Sequence, residues 1–193
     1  MQPDFQERVL QKVTPQVRAI LKLNPNAAYT SLVVEGSGTE PAREMLQGLA
    51  AGEVFASPPG DVEHSRAALA GLWLWHDWLA QSHVISQKIT SETGSFWHAI
   101  MHRREGDFSN SKYWFARCEH HPILKSLVDE ARAAMDPSPV LSDLTAGGQW
   151  RGDRFVDLVE QVHRDASSPL LATVIQLQQL EWRQLFIYCS DNQ

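Results

Sequence analysis

With 193 residues, 43% hydrophobic content and a formal net charge of -6, the chain is long enough to close one apolar core without disulfides and too acidic to offer a general nucleic-acid surface. Its two cysteines, Cys118 and Cys189, are too few for a disulfide framework and have no C-x-x-C spacing, so a reducing, cytoplasmic compartment is the simplest expectation. No signal-peptide pattern opens the sequence, and the longest apolar run, Ala67 to Trp75, is about half the roughly 20 residues a membrane span needs, so no membrane partner is expected.

Phe5, Val9, Val13, Val17 and Ile20 recur at helical spacing, and Thr14-Pro15 reads as an N-cap and first-turn proline, so two short helices or one kinked helix open the chain. Residues 24–41 read as a loop: Asn24-Pro25-Asn26 stops the helix, and TSLVVEGSGTEP holds turn formers with one β-branched run, the single candidate strand. A helix is expected from Pro41 to Leu49, then a loop over 51–61 with a double proline, where Asp61 is placed to cap the next element. From Val62 to Ile89 there is no proline and one glycine, Gly71, in a run rich in Ala and Leu, which predicts one long helix.

Thr93-Gly94-Ser95 reads as a break, with Ser95 capping a helix to about Arg104. Gly106-Asp107 turns the chain, Ser109 or Asn110 starts a helix through Arg117, and Pro122 opens another toward Met135. Residues 136–149, DPSPVLSDLTAGGQ, read as a connector. Phe155, Leu158, Val159 and Val162 mark a further amphipathic helix, and Leu171 to Cys189 a long last one, whose Trp182, Phe186 and Tyr188 leave room for a homodimer face. The sum is an all-α protein, a single-domain helical bundle of seven or eight helices.

The chemistry-bearing residues concentrate in two adjacent stretches. His98 and His102 are four apart, so their imidazoles share a helix face, and His76 and His83, seven apart, share a face of the preceding helix. A short connection makes those helices antiparallel neighbours and brings some of the rings together. One reading is a divalent transition-metal site with His76, His98 and His102 as ligands, His83 as fourth ligand or support, and Asp107 as base. H-A-I-M-H has Ala99 where the helical zinc-protease motif carries its glutamate, and Asp77 and Glu105 are the other acids within reach in sequence. The other reading is a set of histidines hydrogen-bonded in a polar seam between helices.

Arg103, Arg104 and Lys112 form a local cationic excess suited to an anion, while Asn110 and Tyr113 add polar and aromatic lining for a small molecule, with His83 beside them. The function expected is a pocket binding a small anionic or polyhydroxylated molecule, with His98, His102 and Asp107 as catalytic candidates if it is a metal-dependent hydrolase or lyase. The alternative is a non-catalytic protein-protein interaction or scaffold domain with a structural histidine cluster.

WLWHDWLAQSHVISQ, residues 73–87, followed by SFWHAIMHRREGDFSNSKYWF, residues 95–115, resembles an uncharacterised group of bacterial helical proteins in which W-H-D-W-L, S-x-W-H-x-I-M-H-R-R-E and S-N-x-K-Y-W recur. The resemblance covers roughly residues 70–125 and implies no activity. It adds that His76, His83, His98, His102, Arg103, Arg104, Asp107, Asn110, Lys112 and Tyr113 stand at positions of the shared pattern.

Overall fold

In the computed structural model, residue 5 and residues 8–23, 28–57, 62–165 and 167–192 are described. Among them the regular elements are helical: α1 Pro15–Lys22, α2 Glu40–Gln47, α3 Val62–Trp75, α4 Leu79–Ser86, α5 Glu92–Glu105, α6 Phe108–Phe115, α7 Ile123–Ala134, α8 Pro139–Leu144, α9 Gly152–Arg164 and α10 Leu171–Asp191. Short 3₁₀ turns occupy Ala51–Glu53 and Ala146–Gly148. The described residues contain no strand, so the β-branched run near Val33 forms none; a lone bridge joins Val13 to Phe55. Among the described residues ten α-helices stand in place of the seven or eight expected. The turn expected at residues 24–26 and the cap expected at Asp61 lie outside the described residues.

Helix α5 is the axis of the fold. Every residue from Thr93 to Arg104 is buried, so this helix is enclosed on all sides and its polar side chains must find partners inside the protein. α3, α4 and α6 pack against it, while α10 packs across α3, α7 and α9. Trp182 of α10 lies at the centre, its indole N–H donating to the Gly71 carbonyl at 2.8 Å and its ring 4.5 Å from Trp75 and 4.9 Å from Phe186. Of the three rings expected to leave room for a dimer face, Trp182 and Phe186 are fully buried in the core and Tyr188 is half-buried.

The helix predicted over 62–89 is two helices. α3 stops at Trp75, His76 and Asp77 turn, and Asp77 takes a left-handed φ of 64°, a conformation that Asp tolerates better than most residues. Arg104 stabilises the interruption, donating to the Leu74 carbonyl at 2.8 Å and to the Asp77 carboxylate at 2.7 Å. The break predicted at Thr93-Gly94-Ser95 is absent; α5 starts at Glu92 behind Ser91, and Ser95 is buried inside it. Gly94 is needed for packing: a Cβ there would stand 2.4 Å from the Ile89 carbonyl and side chain. Asp107 caps α6 in place of Ser109 or Asn110, and the connector at 136–149 carries α8, which Ser138 caps by accepting from the Leu141 N–H.

Candidate functional site

Three imidazoles meet where α4 and α5 cross. His98 and His102, one turn apart on α5, stack with centroids 4.6 Å apart, and His83 of α4 approaches them with centroids at 4.7 Å and 5.3 Å respectively. One ring nitrogen from each lies within 4.8 Å of the others, so the three form a candidate metal-binding group. The separation of α3 from α4 makes this possible: the turn at His76-Asp77 resets the phase of α4, so that His83 faces α5 while His76 faces α1. His76 donates its Nε2–H to the Ile20 carbonyl at 2.9 Å, and it does not belong to this group. Burial holds the His76 pKa below its ordinary value.

His98 is the centre of the group. It is 3% exposed, neither ring nitrogen has a hydrogen-bond partner among the described residues, and its outer face is covered by Trp114 of α6 at 4.1 Å. Desolvation, followed by the neighbouring His102 and His83, lowers its pKa to about 4, so the ring is neutral with a lone pair available. His102 Nδ1 meets the Glu105 carboxylate at 2.5 Å, and the Asn110 amide lies 3.4 Å from the same nitrogen.

The expected base is occupied otherwise. Asp107 accepts from the Asn110 backbone N–H and the Ser109 hydroxyl, both at 3.1 Å, as the cap of α6. The backbone N–H in particular holds its carboxyl below the ordinary range, which suits a cap and is poorly matched to proton abstraction near neutrality. Asp107 nevertheless stays close, forming with His102 and Glu105 a second group of atoms within 4.8 Å of one another.

The cationic residues are elsewhere. Arg103 is fully buried, paired with Glu181 at 2.5 Å and lying over the Phe155 ring at 4.5 Å; the Trp150 indole N–H donates to the other Glu181 oxygen at 3.1 Å. Arg104 is equally buried, 3.9 Å over Tyr29 and bound to the Ser31 carbonyl at 3.1 Å besides Leu74 and Asp77. Both therefore tie helices together and neither reaches a ligand from solvent. Lys112 pairs with Asp157 at 2.7 Å on the face toward α9, and Tyr113 is 53% exposed with its hydroxyl accepting from Arg117. Of the sequence candidates, the fold brings His83, His98, His102 and Asn110 together, keeps Asp107 beside them, and separates His76, Arg103, Arg104, Lys112 and Tyr113.

A cleft of about 380 Å³ opens next to the cluster, lined by Ser37, Asp77, Trp78, Gln81, His83 and Glu105 among others. Arg104 shapes it without lining it, since its bond to Asp77 fixes one of the walls. A larger cleft of about 550 Å³, between Lys112, Cys118, His120, Trp150 and Arg151, contains none of the three clustered histidines. Both cysteines are free and buried, and burial raises their thiol pKa values, that of Cys189 to about 12, which disfavours thiolate chemistry. Glu181, which neutralises Arg103, escaped the sequence reading; its signal is an acid between Leu180 and Trp182 on the last helix. No helix of the described residues is long and apolar enough to cross a membrane.

Comparison with protein-family models, with curated proteins and with solved structures gave no match.

Proposed function

We propose that this protein binds a divalent transition-metal ion through His83, His98 and His102 and uses it in hydrolysis or elimination on a small molecule entering by the adjacent cleft. The observation that carries this reading is His98, a buried, neutral imidazole with both nitrogens unpartnered between two other imidazoles. Leaving such a group unsatisfied costs on the order of 1–3 kcal/mol, a cost that ligation to an ion offsets. Neutral imidazole suits zinc and its neighbours, and three protein ligands leave a position for water, whose pKa the ion lowers toward neutrality. The three nitrogens lie within 4.8 Å of one another, a spacing compatible with the roughly 3.3 Å between ligand atoms that a tetrahedral ion imposes.

The cleft lining favours one of the two ligand chemistries read from the sequence. Asp77 and Glu105 line it and no lysine or arginine does, so a neutral polyhydroxylated molecule fits better than an anion. Elemental analysis of protein purified without a nickel column tests the metal. One equivalent of zinc, manganese, iron or cobalt, lost in His98→Ala plus His102→Ala, is the expected result. Wild-type protein that stays metal-free after zinc addition and dialysis overturns the reading and returns the histidines to a structural role.

A further inference from the structure

We infer that Glu105 is the positioning residue of this cluster: its carboxylate holds the Nδ1–H of His102 and thereby makes Nε2 the ligating atom. The consequence for ligation rests on the metal reading above, whereas the choice of tautomer rests on hydrogen bonding alone.

An ionised carboxylate can only accept, so an Nδ1 that lies 2.5 Å from Glu105 Oε1 must carry the proton. The Asn110 amide nitrogen, 3.4 Å from the same atom, is more distant and would set a donor against a donor. Rotation of that amide brings its oxygen to the ring as a second acceptor, which reinforces the same tautomer. With Nδ1 protonated, the lone pair of a neutral His102 lies on Nε2. A metal-bound histidine usually donates its other N–H to a carboxylate or carbonyl, which fixes the ring and makes the ligating nitrogen more basic.

The position of Glu105 supports this assignment. It ends α5, where the helix dipole disfavours a negative charge, so the acid gains nothing from the helix itself and is compensated by the imidazole three residues earlier. Its side chain is 39% exposed and lines the cleft, so the core does not depend on it. His98 has no such partner, which leaves His102 as the one ring of the α5 pair whose ligating atom is chosen in advance.

Two measurements test this. Long-range ¹H–¹⁵N correlation spectra of the metal-free protein, at a pH where imidazole is neutral, read the tautomer directly. The wild type should show His102 as Nδ1–H, and Glu105→Ala should shift it toward Nε2–H. Titration with Co²⁺, followed by its visible absorption, then reads the ligand field. Glu105→Ala should bind roughly 10- to 100-fold more weakly with altered bands, and Glu105→Gln, which keeps an acceptor oxygen, should recover part of the loss. A tautomer unchanged in Glu105→Ala, or Co²⁺ affinity and bands equal to wild type, overturns the inference. A wild type that takes up no Co²⁺ removes the metal reading, while the tautomer comparison still decides whether Glu105 orients His102.

Discussion

His121 lies among Thr93, Ile123 and the Tyr188 ring, with its Nδ1 accepting the Ile123 N–H at 3.3 Å and its Nε2–H donating to the Thr93 hydroxyl at 3.1 Å. Burial, helped by the nearby His64, lowers its pKa to about 4. The unfolded chain, titrating near ~6.5, binds the proton first, so the contribution of His121 is complete above that value and is lost as pH falls toward 4. The loss is on the order of 3 kcal/mol at most. Denaturant unfolding as a function of pH checks it: the acid limb of the stability curve should become shallower in His121→Gln. His98 has the same depressed pKa with neither nitrogen engaged, and that contrast separates a satisfied core histidine from a candidate ligand. Residue identity alone shows no such difference. Likewise the pair Arg103-Arg104 reads as an anion clamp until Glu181 and Asp77 are seen to hold it; buried guanidinium groups require such partners.

Glycine marks the closest approaches between elements. At Gly71 the α3 backbone passes against Trp97 of α5, and an added Cβ would lie 2.7 Å from the indole ring, which is fully buried. Alanine would strengthen α3 by about 1 kcal/mol through helix propensity, yet overpacking against a ring with no space to retreat costs roughly 1–3 kcal/mol. Gly71→Ala is therefore expected to melt a few degrees lower, a result read by thermal denaturation and opposite in sign to the local propensity. The same competition explains which boundaries were legible. Thr14, accepting from the Val17 N–H with Pro15 behind it, begins α1 as its sequence predicts, because a cap is a local interaction. The break after Trp75 and the continuity through Gly94 depend on Arg104 and Ile89, which contact those positions only in the folded chain.

At the scale of the molecule, the candidate site exists because α4 and α5 are held in one rotational setting by the turn at Asp77 and the bonds of Arg104. An ion bound across two helices stabilises the folded state and not the unfolded one. At a free concentration of about 100 times its Kd the gain is roughly 2.7 kcal/mol, or on the order of 5–10 °C in melting temperature for a chain of this size. Calorimetry with and without zinc should show that shift in the wild type and none in His98→Ala plus His102→Ala.

Helical class, most of the helix positions and the stretch that carries the histidines follow from patterns a few residues long: apolar spacing, caps, prolines and the i, i+4 pair His98 and His102. Which third imidazole joins that pair, and whether an arginine faces solvent or core, follow from contacts across the fold. Asp77 and Arg104, 27 residues apart, meet only when the chain is folded, and their bond turns His76 toward α1 and His83 toward the pair. Short-range patterns set the period of each helix, whereas the phase between helices depends on long-range polar bonds in the buried interior.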